Sequence, residues 1–191
     1  LWIAYAMDRR GEHRDEMWDE HDGFYYDLLR LPDGEAMRLK VRSMVGLLPL
    51  CASTVFEAEF VARYPKLMEV IALFRKRHPE LVSQVAPSES GFVGYRQRRL
   101  LSILNKPKLE RVLAYMLDEN EFLGPYGIRS LSRYHLENPF VFHVSGQEYK
   151  VQYLAAESNT GMFGGNSNWR GPVWMPVNVL LIRALLNLYQ F

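Results

Sequence analysis

Residues 64–78 read YPKLMEVIALFRKRH, and this stretch decides the fold class that the sequence predicts. Its apolar residues recur at the 3.6-residue period of an amphipathic helix: Leu67, Val70, Ile71 and Phe74. The proline after His78 ends the pattern, because the residue before a proline disfavours helical backbone angles. The same period predicts three further helices: Ser43–Phe60, Pro107–Leu117 and Asn178–Phe191.

Turn signals between these helices predict two β-hairpins. Pro32-Asp33-Gly34 joins Phe24–Leu31 to Ala36–Val41, and Ser145-Gly146 joins Phe140–Val144 to Gln147–Tyr153. Strand–helix–strand units are missing from the pattern, which disfavours a parallel sheet. The sequence therefore predicts a mainly α toroid or solenoid with inserted hairpins, whose loops on one face carry function.

Composition excludes several classes of protein. The 191 residues are 48% hydrophobic and 24% charged, which is typical of a globular domain. The formal net charge of +1 predicts neither nucleic acid nor a membrane as partner. With Cys51 as its single cysteine and five histidines at spacings unlike those of metal ligands, the chain is predicted to be cytoplasmic, without a metal or other cofactor.

Both ends predict that the chain is one partial domain, 1–191, whose partner is the remainder of a longer polypeptide. The first residues, LWIAYAM, lack an initiator methionine and a helix cap, and the last helix stops without a glycine or proline. Apolar residues of that helix are then expected to be exposed where neighbours are missing: Leu180, Leu181, Leu185 and Leu188.

Residues 158–174, SNTGMFGGNSNWRGPVW, are the most unusual stretch. Its glycines permit close backbone approach, Asn166 and Asn168 supply hydrogen-bond donors and acceptors, and Arg170 supplies a fixed fork of donors. Trp169 and Trp174 add flat apolar faces, so the stretch offers what a sugar ring requires. The alternative is a helix-entry loop whose tryptophans pack inward and whose arginine forms a structural salt bridge.

Residues 18–27, WDEHDGFYYD, form the second candidate. Carboxylates beside aromatic rings suit a carbohydrate, and a carboxyl pair suits acid–base chemistry. The spacing misses the helix-loop-helix calcium pattern at several positions. A solvated acidic loop before a hairpin is the alternative.

Residues 124–132, GPYGIRSLS, form a third candidate, a turn followed by alternating polar and apolar residues. Arg129 is placed to line a cleft, although an ordinary connection has the same pattern.

Together these segments resemble glycoside hydrolase family 63. The run WDEHDGFYYD followed by LKVRSMVGL at 39–47 is similar to bacterial members, the glucosidase and mannosylglycerate-hydrolase-like enzymes. YGIRSLS at 126–132 and GGNSNWRGPVW at 164–174 follow in the family's order, so the resemblance covers essentially the whole chain.

The resemblance implies part of an (α/α)₆ toroid and inverting hydrolysis of an α-glycosidic bond in an oligosaccharide or a glycosylated small molecule. A carboxylic acid protonates the leaving oxygen while a carboxylate, roughly 6.5–9.5 Å away, activates water. The resemblance places the acid, an Asp, upstream of this chain and the base, a Glu, downstream, so the chain alone is expected to be inactive.

What the resemblance carries over is a set of sugar-site wall residues: Asp22, Tyr25, Tyr26, Asp27, Arg129, Asn166, Asn168, Trp169, Arg170 and Trp174. Two other functions stay open at this point. One is a non-catalytic carbohydrate-binding or scaffold role for a helical-toroid module, and the other is a trehalase- or glucoamylase-like hydrolase on the same barrel.

Overall fold

Short antiparallel strands alternate with helices along the chain in a computed structural model that describes residues 2–8, 16–32, 34–82, 92–144, 146–154 and 172–191. The α-helices are α1 (Trp2–Met7), α2 (Ala58–Arg63), α3 (Pro65–Arg77), α4 (Pro79–Val82), α5 (Lys106–Leu117) and α6 (Met175–Gln190). Three 3₁₀ helices span Met44–Cys51, Tyr95–Gln97 and Arg133–Leu136.

The strands are β1 (Trp18–Asp19), β2 (Phe24–Tyr25), β3 (Asp27–Arg30), β4 (Ala36–Leu39), β5 (Ser53–Phe56), β6 (Phe92–Val93), β7 (Arg99–Ser102), β8 (Leu123–Gly124), β9 (Gly127–Ile128), β10 (Phe140–Val144) and β11 (Gln147–Val151). β1–β2, β3–β4, β8–β9 and β10–β11 are antiparallel pairs, and β7 lies between β5 and β6 in a three-stranded sheet.

The prediction of a mainly α toroid is wrong for the described residues. About 46% of them are helical and about 24% lie in strands, so the fold is mixed. The predicted helices over 64–78, 107–117 and 178–191 are confirmed as α3, α5 and α6, and both predicted hairpins form.

The predicted helix over Ser43–Phe60 accounts for much of the error. Pro49 has no N–H to donate and Gly46 costs backbone entropy, so the first part forms a 3₁₀ helix instead. Gly46 is also required by packing, because a Cβ there would overlap the Phe24 ring. The second part contains the β-branched Thr54 and Val55, and it pairs with β7 as strand β5.

The main core lies between β2, the long 3₁₀ helix, α5 and α6. Phe24 and Phe122 are fully buried and stack with ring centroids 5.8 Å apart, and Leu47, Met116 and Leu181 pack around them. This core fixes loop 16–23 against α5.

Helix α6 exposes a different set of apolar residues from the one the sequence predicts. Leu180 is exposed as expected, whereas Leu181 is buried in the core. Val179, Ile182 and Tyr189 are all more than half exposed. None of the helices in the described part of the chain is long and apolar enough to cross a membrane.

Candidate functional site

The acidic loop at residues 16–23 contains β1 and the turn that reverses the chain into β2. Trp18 pairs with Tyr25 across the two strands, and Gly23 closes the turn at φ +70°. A Cβ at Gly23 would overlap the guanidinium of Arg111, which donates to the carbonyl oxygens of Glu20 (2.7 Å) and His21 (2.8 Å). The glycine therefore serves both the turn and the approach of α5.

Asp19 and Asp22 share one cation. Lys40 Nζ lies 3.0 Å from Asp19 Oδ2 and 3.0 Å from Asp22 Oδ2. The hydroxyl of Tyr26 donates to Asp22 Oδ2 at 2.9 Å, and Arg38 lies 3.3 Å from Asp19 Oδ2. The backbone N–H of Asp22 also donates to Asp19 Oδ1 at 2.9 Å. The two carboxylates are thus held rigidly by donors from the loop and from β4 and its C-terminal extension.

These donors keep Asp22 ionised. Burial alone would raise the pKa of its carboxyl group, but hydrogen bonds from His21, Lys40 and Tyr26 outweigh burial and lower the pKa to about 2. Burial alone would lower the pKa of the Lys40 ammonium group. The hydrogen bonds and charges of Asp19 and Asp22 outweigh burial, so this pKa is raised. Asp22 and Lys40 therefore both stay ionised over the whole physiological pH range, and their ion pair holds the loop in place.

Asp19, His21 and Asp22 bring one ligand atom each to within 4.8 Å of one another, which is close enough for a metal ion. Lys40 Nζ already lies 3.0 Å from both carboxylates, where it supplies the positive charge. The donor set therefore fits an ammonium group better than a metal ion, which the ammonium would repel.

Tyr25, Tyr26 and Asp27 line a largely apolar cavity of about 280 Å³. The opposite wall comes from the 3₁₀ helix, through Gly46 and Pro49 among others. Burial raises the pKa of the Asp27 carboxyl group. The cavity combines an apolar surface with one carboxyl group.

Arg42 is a partly buried residue that connects several elements, and the sequence did not single it out as a site residue. Its guanidinium lies 3.9 Å from the ring centroid of Tyr134 and 5.0 Å from that of Tyr115. It forms an ion pair with Glu121 at 2.5 Å. Tyr115 also donates to the backbone oxygen of Asp22 at 2.7 Å, so α5 joins Arg42 to the acidic loop.

Sequence reasoning missed Arg42, Glu121 and Lys40 because their partners are distant in the chain. Arg42 and Glu121 are separated by 79 residues, and neither residue type marks a pair by itself. Lys40 carried a weak signal, since it is two residues from Arg38 and both face the acidic loop.

Arg129 supports the loop that precedes it. Its guanidinium donates to the backbone oxygens of Glu119 (3.0 Å), Glu121 (3.2 Å) and Leu123 (2.6 Å). These bonds fix the turn between α5 and β8, and they hold Glu121 close to its partner Arg42.

Asn166, Asn168, Trp169 and Arg170 lie outside the described residues. Trp174 is described: it precedes α6 and packs partly buried against the main core. The backbone N–H of Ser130 donates to the oxygen of Pro172 at 2.8 Å, and Met44 donates to the oxygen of Ser130 at 2.9 Å. The segments at 39–47, 124–132 and 172–174 are therefore adjacent, although Trp174 does not line the Tyr25–Asp27 cavity.

Comparison with known proteins shows which proteins this chain resembles. Residues 99–190 match the model of the mannosylglycerate hydrolase MGH1-like glycoside hydrolase domain. This part of the chain is therefore similar to a glycoside hydrolase domain related to family 63. The resemblance predicted from the sequence is confirmed at this level, and α5 of this glycoside hydrolase-like chain lies inside the matched range.

Individual relatives match the chain over very different lengths. The glycoside hydrolase-like chain is 43% identical over 194 residues to an uncharacterized protein of Saccharomyces cerevisiae, an alignment that covers 99% of the chain. It is 34% identical over 85 residues (44% of the chain) to the mannosyl-oligosaccharide glucosidase of the same yeast. It is 32% identical over 83 residues (43% of the chain) to a probable mannosyl-oligosaccharide glucosidase of Schizosaccharomyces pombe. The chain spans 18% of the length of the first relative and 7% of each of the other two.

Proposed function

We propose that this chain is part of an inverting, glucosidase-like α-glycosidase that hydrolyses α-glycosidic bonds of oligosaccharides or glycosylated small molecules. The family match over residues 99–190 carries the proposal. The relatives named as mannosyl-oligosaccharide glucosidases favour glucosidase chemistry over a lectin-like role.

The contacts of α5 connect the matched segment to the acidic loop. Arg111 and Tyr115 belong to the matched segment, and both donate to backbone oxygens of residues 20–22. Since these bonds fix the loop, Tyr25, Tyr26 and Asp27 present an apolar surface and one carboxyl group from a rigid support. A sugar ring needs both, an apolar face and a directed hydrogen-bond acceptor.

The proposed sugar-site wall is the set carried over from the resemblance: Asp22, Tyr25, Tyr26, Asp27, Arg129, Asn166, Asn168, Trp169, Arg170 and Trp174. In this proposal Asp22 and Arg129 act by supporting their loops, because their polar atoms are already bonded within the protein. The resemblance implies that the catalytic acid lies before this chain and the base after it. Inverting hydrolysis needs these two carboxyl groups roughly 6.5–9.5 Å apart across the sugar.

The test compares this chain with the longer protein that contains it, on aryl α-glucosides, aryl α-mannosides and gluco- and manno-oligosaccharides. We expect turnover only by the longer protein, with proton NMR showing the β-anomer as the first product. Turnover by this chain that is lost in Asp22→Asn or Asp27→Asn would instead place catalysis within residues 1–191. If the α-anomer is the first product instead, the anomeric configuration is retained and an inverting mechanism is excluded.

Trp174→Ala in the longer protein tests the wall itself. We expect kcat/KM to fall at least about tenfold, because the site loses an aromatic group that aligns the substrate. Near-normal kinetics of a folded variant would remove Trp174 from the site.

A further inference from the structure

A histidine side chain joins residues 40–43 to the 3₁₀ helix Arg133–Leu136. The backbone N–H of Arg42 donates to Nε2 of His135 at 2.9 Å. The backbone N–H of Ser132 donates to the oxygen of Arg42 at 2.9 Å, so Arg42 is bonded through both of its main-chain groups. An imidazole nitrogen therefore accepts a hydrogen bond that a backbone carbonyl oxygen of a neighbouring strand would otherwise accept.

The two partners of the His135 ring decide which nitrogen carries the hydrogen. Nδ1 lies 2.8 Å from the oxygen of Asn138, and because a carbonyl oxygen only accepts, Nδ1 carries the hydrogen. Nε2 faces the N–H of Arg42, and because an N–H group only donates, Nε2 is unprotonated. His135 is 1% exposed, so water does not replace either partner while the contact is closed. The folded chain therefore contains one neutral tautomer of this ring.

A second proton on this ring breaks the bond to Arg42. Both nitrogens of an imidazolium carry hydrogens, so the new N–H on Nε2 would point at the N–H of Arg42. Burial lowers the pKa of His135, the hydrogen bond to Asn138 raises it, and the like charge of Arg42 lowers it further, so the net shift is downward. Protonation of His135 and opening of the contact are therefore coupled.

The other titratable groups around the ring do not give the same response. Glu121, in the turn after α5, pairs with Arg42, and burial raises the pKa of its carboxyl group. A raised carboxyl pKa favours the folded form as the pH falls, which is the opposite sign. Tyr134 meets the His135 ring edge-on with centroids 5.3 Å apart, and Tyr153 donates its backbone N–H to the oxygen of His135 at 3.1 Å.

Residues 40–43 also carry two cations that hold other parts of the fold. Lys40 holds the two carboxylates of the acidic loop, and Arg42 forms the ion pair with Glu121. Both cations lose their support when the bond between His135 and the backbone of Arg42 opens. The contact at His135 therefore controls the rigidity of the acidic loop.

We propose that His135 is an acid-sensitive latch, whose protonation releases residues 40–43 from residues 130–135 and thereby loosens the acidic loop. Above a pH of about 6.5 the ring is neutral in the open state as well, and the latch has its full strength. Below this pH the open state binds a proton that the closed state excludes. The open fraction then rises about tenfold per pH unit until the closed state is protonated too.

The inference goes beyond the proposed function, because the latch requires neither a substrate nor the catalytic carboxyl groups. It is tested on the 191-residue chain itself, so its failure is distinguishable from absent turnover in the longer protein.

The experiment is hydrogen exchange of single amides, measured by NMR between about pH 4.5 and 8. After correction for the intrinsic rate, the protection factor of the Arg42 N–H should fall about tenfold per pH unit below about 6.5. The N–H of Asp22, which donates to Asp19, should lose protection over the same range because Lys40 is released. The N–H of Met116 in the main core should keep its protection factor.

His135→Gln provides the decisive variant. The glutamine offers an oxygen that accepts from the Arg42 N–H and that does not titrate in this range, so the pH dependence should disappear. His143→Gln, the same change on exposed β10, is the matched control and should leave the tenfold dependence unchanged. If His135→Gln does not fold, imidazole ¹⁵N shifts of the unmodified protein decide instead. They should show the hydrogen on Nδ1 at neutral pH and a second proton as the Arg42 amide opens.

Four outcomes would overturn the proposal. A protection factor of the Arg42 N–H that is independent of pH, or that depends on pH equally in His135→Gln, would show that this ring is not the trigger. A hydrogen on Nε2 at neutral pH would exclude the bond on which the latch depends. Equal loss of protection at Met116 would show unfolding of the whole chain. An unchanged Asp22 amide would contradict loosening of the acidic loop.

Discussion

Asp22 and Asp27 are five residues apart, and burial acts on both in the same direction. In Asp22 the donors Tyr26, Lys40 and His21 reverse the effect and lower the pKa to about 2. In Asp27 burial dominates and raises the pKa. One carboxylate therefore stabilises the fold when ionised, while ionisation of the other is unfavourable to folding.

Asp22→Asn should reduce the free energy of unfolding at pH 7 by about 1–2 kcal/mol. The folded pKa of about 2 lies below the unfolded value of about 4, so this stability is present above pH 4. It is lost as the pH falls through about 2. Urea denaturation between pH 2 and 7 checks this, with exposed Asp118→Asn as control, and a pH-independent loss would contradict it.

Asp27→Asn should increase stability at pH 7. Because the folded pKa is raised, ionisation above the unfolded pKa of about 4 costs the folded state, and the amide removes that cost. The same urea titrations should show the gain disappearing below pH 4. Destabilisation at pH 7 would mean that the ionised group has a favourable partner.

At this scale the sequence predicted residue types better than residue roles. The pattern of WDEHDGFYYD indicated carboxylates beside aromatic rings, and the structure places them so. It did not indicate the ion pairs that Lys40 and Arg42 form, because ion pairs across the fold depend on chain reversals that no local pattern encodes.

Helix α5 is the element that joins the family-matched segment to the acidic loop, and its start depends on one cap. Asn105→Ala removes the acceptor for the Lys108 N–H and should lower the free energy of unfolding by about 1 kcal/mol. Asn105→Ser restores an acceptor and should recover most of the loss. Thermal or urea denaturation measures both, and equal losses would exclude capping as the cause.

Elements with strong local signals were predicted well. Helix α5 has an asparagine cap, a proline in its first turn and a periodic apolar face. Its local sequence therefore favours the same helix that its packing in the fold requires. Residues 43–60 have a helical period too, but Pro49 interrupts it and the pairing of β5 with β7 overrides it. The partner strand β7 lies more than 40 residues away in the chain. The periodicity of a short sequence window therefore contains no information about this pairing.

For the whole molecule, one side of α6 exposes apolar side chains. Val179 and Ile182 are 59% and 57% exposed, one turn apart. We expect the 191-residue chain to self-associate with rising concentration, because contiguous exposed apolar surface favours contact. Sedimentation velocity measures this.

Val179→Lys combined with Ile182→Lys should reduce that association while leaving the unfolding midpoint nearly unchanged, since both side chains are mostly solvated. A chain that stays monomeric at all concentrations would show that this surface does not cause association.

The mixed architecture itself was not predicted because the eleven strands in the described part have only two to five residues each. Such short strands give a weaker periodic signal in the sequence than the six helices do.

Asn178 has a consequence for the order in which the molecule assembles. Its Oδ1 accepts from the N–H of Ile128 at 2.7 Å, and its Nδ2 donates to the oxygen of the same residue at 3.2 Å. The side chain of a helix residue therefore forms the backbone hydrogen bonds that a neighbouring strand would otherwise form with β9. Closing this 50-residue separation is entropically costly, which favours late formation of the contact.

Asn178→Ala should therefore speed unfolding about tenfold or more while changing the refolding rate little. Stopped-flow chevrons would show it, and a slower refolding limb would instead put the docking of α6 onto β9 at the rate-limiting step.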